Sequence, residues 1–313
     1  MTSTAIPKLS IVMPAYNHEK FVGEAVEGVL NQTFTDFEFI IIDDGSQDST
    51  ADVINSYKDA RIRYFYQDNQ DAFNAINNGL AKVRGGFLAI LNSDDVYTPD
   101  RFEVLFEFQK QHDSDCLFTD VFAIDDNSVA LSDPDFGWNQ WHQNNRQKYV
   151  DLDDLYAGFL HGNFMVTTSN LFIKSSLVKQ VGGFAPLRYL HDYDYIFRLM
   201  LASPKGCFYL SDRQLLKYRI HGNNTLSEGA ILAREQDQAV IREYMLSAIN
   251  SGASEELIRK RVETGLNRLI ALEHELLTVK AELDAKNNPQ ENAKTHSTKL
   301  KNLAKKAVRR MKG

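Results

Sequence analysis

Two apolar runs close on paired aspartates: Phe39-Ile40-Ile41-Ile42-Asp43-Asp44, and Phe87-Leu88-Ala89-Ile90-Leu91-Asn92-Ser93-Asp94-Asp95. A short unbroken apolar run bounded by turn residues is the pattern of a strand buried on both faces, as in a parallel sheet. Carboxylates next to core strands are costly unless something compensates them, and a divalent cation with a phosphorylated ligand would do so. The four aspartates therefore mark a site.

Outward from these runs, the first half of the chain alternates short apolar stretches with amphipathic ones, the signature of βα units. Strands are predicted over 9–13, 37–42, 61–65 and 87–91, with helices over 19–30, 49–57, 72–82 and 99–111. Thr98 is expected to cap the last of these and Pro99 to occupy its first position. The fold class is α/β, a mainly parallel sheet flanked by helices. Ligands in such sheets gather at the carboxyl ends of strands, where both acidic pairs lie.

A β-rich pattern continues over 116–131. The stretch 132–149, rich in Asp, Asn and Gln, carries Phe136, Trp138, Trp141 and Tyr149. It reads as a polar loop that either covers a site or packs on the surface. Further on come a helix over 152–157, a strand over 170–173 and helices over 175–180 and 191–201.

Beyond Thr225 the pattern is helical. Ile258, Val262, Gly265, Leu269, Leu272, Leu276, Val279 and Leu283 alternate spacings of four and three, a heptad seam. Two readings fit: a homodimer through 257–284, or a helix packed on the body. After Gln290 stand eight basic residues and one acidic one; without them the chain has 27 basic and 41 acidic residues. An acidic body repels nucleic acid, while the tail over 294–313, with one apolar and one basic face, suits an anionic membrane surface. A frayed, solvated tail is the other reading.

At 313 residues, 43% hydrophobic and 25% charged, the chain can bury a sizeable core. Its two cysteines, Cys116 and Cys207, make no disulfide framework. The N-terminus does not read as a signal peptide, and no run approaches the ~18–20 apolar residues of a spanning helix. A cytoplasmic location, peripheral at the membrane, is the expectation.

The phosphate-binding G-x-x-x-x-G-K-[ST] and G-x-G-x-x-G signatures are absent, as is a Ser-centred nucleophile elbow. What stands at the strand ends is Ser10-Ile11-Val12-Met13-Pro14-Ala15-Tyr16-Asn17, Ile41-Ile42-Asp43-Asp44-Gly45-Ser46, Leu91-Asn92-Ser93-Asp94-Asp95 and, later, His191-Asp192-Tyr193-Asp194. These four motifs, in this order, resemble those of family 2 glycosyltransferases with the GT-A fold, over about residues 8–225. The resemblance implies inverting transfer of a sugar from a nucleotide-diphosphate sugar, with Mg2+ or Mn2+, and a GT-A domain over 1–225. A helical extension over 226–286 and a basic tail over 287–313 complete the expected organisation. A UDP-sugar donor and a glycan or lipid-linked acceptor in surface polysaccharide synthesis are expected.

The resemblance also implies roles. Pro14, Ala15, Tyr16 and Asn17 line the nucleotide; Tyr16 offers a face for stacking. Asp44 accepts from a uracil-type base while Asp43 supports the loop. Asp95 is the expected metal ligand, and Asp94 serves the ribose or a metal-bound water. Asp192 is the general base, a role worth ~10² to 10⁴ in rate. Tyr218-Arg219-Ile220-His221-Gly222 resembles a late Tyr-Arg-x-His element, which puts Arg219 at the diphosphate and His221 on the cation. Asp194, four residues before Arg198, reads as a surface ion pair.

Three positions depart from the family pattern. Asn92 stands where many relatives carry the first aspartate of D-x-D, Asp71 where a glycine is common, and His191 where a glutamate precedes the catalytic aspartate. The alternative to an enzyme is an inactive nucleotide-sugar binding module at the membrane, which rests on Asn92 and Asp71 alone.

Overall fold

A computed structural model describes residues 6–222 and 230–287. The strands are β1 (Leu9–Ala15), β2 (Phe37–Asp43), β3 (Ile62–Tyr66), β4 (Phe87–Ile90), β5 (Val96–Tyr97), β6 (Cys116–Ile124), β7 (Phe172–Lys174) and β8 (Cys207–Arg219). They form one sheet in the order β3-β2-β1-β4-β7-β6-β8-β5. The β1, β2, β3 and β4 pairings are parallel, as is β6 with β8; β7 and β5 run antiparallel to their neighbours. The carboxyl ends of β1, β2, β4, β6 and β8 consequently share one edge.

The paired apolar runs behave as their composition requires. Every residue of β1 and β2 is buried. Because side chains alternate across a strand, Leu9, Ile11 and Met13 join Phe39 and Ile41 on one side, while Val12, Ile40 and Ile42 face the other. Helices α1 (Val22–Leu30), α2 (Thr50–Ser56) and α4 (Arg101–His112) cover the first side. The second side takes α3 (Ala72–Leu80), α6 (Leu155–His161), α7 (Ser175–Val181) and α8 (His191–Ala202). There α3 approaches so closely that a Cβ at Gly79 would lie 2.3 Å from Val12 Cγ1. Only glycine allows that contact.

Several expectations are corrected. The stretch read as a polar loop is mostly a helix, α5 (Gly137–Leu152). Its buried stripe is narrow: Trp138 stacks on His142 and Tyr218, and Tyr149 stacks on Phe164, amid Gln and Asn that hide the period. Thr98 does not cap α4, which starts at Arg101 after Asp100; the Thr98 carbonyl accepts from Arg101 N instead. The thirteen-residue β8 had no counterpart in the expected strands.

Helices α9 (Ala230–Ile249) and α10 (Glu255–Asn287) pack on the α6–α8 side. Of the heptad seam, Val262, Leu269, Leu272 and Leu276 turn inward, with Leu272 fully buried against the main core. The described part of the seam is thus spent on the body, the second of its two readings. No helix among the described residues is long and apolar enough to cross a membrane. The basic tail lies outside the described residues.

Candidate active site

A cleft of about 510 Å³ opens at the carboxyl edge of the sheet. β1 delivers Pro14, Ala15, Tyr16 and Asn17 to one wall, and β2 delivers Asp44 beside them. Tyr16 remains 42% exposed there, free to offer its ring face. The two loops are tied together: Asn17 N donates to Ser46 Oγ at 3.1 Å and Gln47 N to Asn17 Oδ1 at 2.8 Å. Asn17 adopts φ +51 and Gly45 φ +80, left-handed conformations that Asn and Gly tolerate.

Asp43 and Asp44 divide as their neighbours dictate. Asp43, fully buried, accepts from Ser46 N at 2.9 Å and from the Tyr64 hydroxyl at 2.6 Å, so it holds the turn. Asp44 faces the cleft, with Oδ1 held by Gln67 Nε2 at 2.7 Å and Gln70 N at 2.9 Å. Burial and the nearby charges of Asp71 and Asp43 push its carboxyl above the usual range despite those two donors.

After β4 the chain turns through Asn92, Ser93, Asp94 and Asp95. Asn92 is knitted into the turn before β7: its N–H donates to Ser169 Oγ, its Nδ2 to Thr167 Oγ1, and its Oδ1 accepts from Thr168 Oγ1. An amide serves both directions, whereas a carboxylate only accepts. Asp95 is 1% exposed and accepts from Ser169 Oγ at 2.6 Å, Thr167 Oγ1 at 3.3 Å and Arg219 N at 3.0 Å. Burial and the charge of Asp94 push Asp95 up to about 8.

Asp94 has the opposite environment. Burial would raise its carboxyl, but His18 and His221 outweigh that and hold it below the ordinary value. His221 Nε2 lies 3.1 Å from Asp94 Oδ2, and His18 Nδ1 lies 2.8 Å from Ser93 Oγ. Among the described residues, His18, Asp94 and His221 present ligand atoms that all lie within 4.8 Å of one another. Asp95, the expected direct ligand, is not in this group.

Arg219 also departs from expectation, because it does not line the cleft. It is 1% exposed and spans Glu24 Oε2, the Asp94 and Asp125 carbonyls and Ser128 Oγ. It clamps the loops from behind.

At the far end, the second residue of α8 supplies Asp192. The residue is 7% exposed; Oδ1 accepts from Tyr193 N at 2.8 Å and Oδ2 from Asn163 Nδ2 at 3.0 Å. Burial raises its carboxyl, against the lowering influence of His191, Asn163 and the Tyr193 amide. Asp194 is not the surface pair expected: it is buried, binds Arg198 at 2.8 Å and accepts from the Tyr244 hydroxyl at 2.6 Å, tying α8 to α9. Asp71 keeps a backbone of φ +70 and ψ 155, the conformation that favours glycine, and its carboxylate pairs with Arg188 across the cleft mouth.

One cleft thus gathers a stacking aromatic with a carboxylate, two members of a cation-competent triad whose third, His221, lies behind Asp94, and a buried carboxylate. Residues 10–174 match the family described as Glycosyl transferase family 2. The chain belongs to that family. An uncharacterized glycosyltransferase of Rickettsia typhi is 31% identical over 228 residues, 71% of this chain and 67% of the relative. In fold, the crystal structure of S. aureus TarS 1–349 in complex with UDP-GlcNAc is similar with a TM-score of 0.65 at 19% identity, covering 84% of this chain and 73% of TarS. The mannosyltransferase PcManGT from Pyrobaculum calidifontis, in complex with GDP-Man and Mn2+, gives a TM-score of 0.61 at 14% identity and covers 95% and 81%. The sheet is therefore that of a GT-A glycosyltransferase.

In this family 2 glycosyltransferase two site residues escaped sequence reasoning. His18 had a legible signal, a titratable group directly after the Pro14–Asn17 motif. Asn163 had none, since it stands 29 positions from Asp192 in no recognisable pattern. Two imidazoles and one carboxylate suit a first-row transition ion better than Mg2+, which prefers oxygen ligands.

Proposed function

We propose that this glycosyltransferase moves a sugar with inversion from a nucleotide-diphosphate sugar, a UDP-sugar, to a hydroxyl of a glycan or lipid-linked acceptor in surface polysaccharide synthesis. The observation that carries this reading is the single cleft holding Tyr16 and Asp44 at one end and Asp192 at the other, with Asp94 and His18 between. The base fits against Tyr16 and Asp44, the diphosphate near Asp94, and the anomeric carbon toward Asp192.

In the reaction, the acceptor oxygen attacks the anomeric carbon, and its proton passes to the Asp192 carboxylate. The bond from that carbon to the phosphate oxygen breaks, and its electron pair leaves with the nucleoside diphosphate. Both oxygens of Asp192 already accept one hydrogen bond, but an ionised carboxylate offers about four lone-pair sites, so capacity remains. Burial keeps the base dry and raises its proton affinity, which suits a general base. His18, Asp94 and His221 would hold a divalent cation, which when bound neutralises charge developing on the leaving diphosphate. Asp95 and Arg219 shape that triad from behind.

A binding module without turnover has lost its main support, because Asn92 is explained by its bonds to Thr167, Thr168 and Ser169. Attachment to a membrane through 294–313 remains part of the proposal, on charge pattern alone. The reading is tested by measuring nucleoside-diphosphate release from a panel of UDP- and GDP-sugars with Mn2+ or Mg2+. Release from at least one donor, dependent on Asp192, is expected; none from any donor would refute it.

A further inference from the structure

A second cleft, of about 390 Å³, meets the first at Val166, Tyr189 and Asp192. Its walls come from α5 and from the C-terminal helices α9 and α10: Trp141 on one side, Asp237, Arg268 and Glu275 on the other. We propose that this cleft is the acceptor site, and that it takes a terminal sugar ring that is uncharged and rich in hydroxyls. The proposal rests on the glycosyl-transfer reading above and adds the place and chemical class of the acceptor.

Three features of the cleft select that ligand. Trp141 is 42% exposed, an unusual position for an indole, and offers an apolar plane against which the C–H face of a pyranose can lie. Asn163 points its Nδ2 at Asp192, which assigns its Oδ1 to the other side; that oxygen is buried without a hydrogen-bond partner. Asp237 gives one oxygen to Arg268 Nη2 at 2.7 Å, and its Oδ1 is likewise buried and unpartnered. A buried acceptor left unmade costs about 1–3 kcal/mol, so both oxygens call for donors, and sugar hydroxyls are donors.

Charge argues against an anionic ring. Arg268 pairs with Asp237 and with Glu275 Oε1 at 3.1 Å, its buried Nε alone making no hydrogen bond, and Arg234 Nε lies 3.4 Å from Glu275 Oε2. With Asp192 counted, three carboxylates face two guanidinium groups. At the junction, Val166 holds φ +77, a left-handed conformation rare for a β-branched residue. Such strain survives only where surrounding structure enforces it, and it clusters at functional sites.

The full chain, with UDP present, is to be applied to a glycan array beside Trp141→Ala and Asp237→Asn variants, with UDP affinity measured in parallel. Retention of glycans with uncharged terminal sugars is expected, weakened roughly tenfold or more by Trp141→Ala, as for an indole anchor that the ligand covers. UDP affinity should stay unchanged in both variants. Equal retention by Trp141→Ala, retention of only acidic glycans, or retention of none by a chain that binds UDP would overturn the acceptor assignment alone. A chain that binds no nucleotide would instead defeat the reading on which it rests. Asp237→Asn guards against a folding failure of Trp141→Ala, because it keeps the volume and should also weaken retention.

Discussion

Asn163 Nδ2 donates to Asp192 Oδ2 across 3.0 Å and orients the one carboxylate that borders both clefts. A hydrogen bond to a charged group contributes about 1.5–3 kcal/mol, equivalent to roughly 10- to 100-fold in rate if it is expressed at the transition state. Asn163→Ala should therefore lower kcat by that range. Because Asn163 favours ionised Asp192, its loss should also move the acid limb of the rate profile to higher pH. Steady-state kinetics across pH check both; a kcat loss with an unmoved profile would mean Asn163 acts only on packing.

The wild-type profile has a predictable sign. Burial raises the Asp192 carboxyl, so the active, ionised form is lost on acidification at a pH above the ordinary carboxylate value of 3.8. His191 pulls in the opposite direction. Replacing it with Gln should carry the acid limb further upward, and a downward movement would contradict the assignment of Asp192 as the base.

The two aspartates after Ser93 should separate cleanly. Asp94→Asn, His18→Ala and His221→Ala should each abolish the extra thermal stability that Mn2+ confers with UDP, since bound ligand raises stability with its affinity. Asp95→Asn should keep it, because Asp95 stands outside the His18–Asp94–His221 triad and an amide oxygen can still accept from Ser169 and Arg219 N. Differential scanning fluorimetry distinguishes them; loss of the Mn2+ effect only in Asp95→Asn would restore Asp95 as the direct ligand.

Arg219→Lys should be a stability variant first. It would leave Glu24 and the Asp94 and Asp125 carbonyls without the guanidinium that joins them, and a buried acceptor left unmade costs about 1–3 kcal/mol. A melting temperature lower by several degrees, with UDP affinity in the folded fraction nearly retained, is expected. The reverse pattern would place Arg219 on the diphosphate.

How much of this was legible in the sequence follows from where the interactions lie. β1, β2 and β4 announced themselves because strands buried on both faces read as apolar runs, and Asp43 and Asp44 end one of them by local turn chemistry. α5 was misread because its packed face is only Trp138, His142, Asn145 and Tyr149 among Gln and Asn. Arg219 and Asp95 both depart from their expected roles because Arg219 meets Asp94 and Asp95 across separations of 125 and 124 residues. No local pattern fixes which carboxylate of an adjacent pair joins the two histidines and which is held by Ser169 and the Arg219 amide. Asn163 became visible only when α8 set Asp192 beside it.

Asp192 is the one residue assigned to take the acceptor's proton. Nucleoside-diphosphate release and nucleotide affinity should be measured on Asp192→Asn, with the donor that the wild-type chain turns over. Loss of transfer by about 10²-fold or more, with nucleotide affinity within about threefold of wild type, is the predicted result. Transfer at the wild-type rate by Asp192→Asn would contradict it.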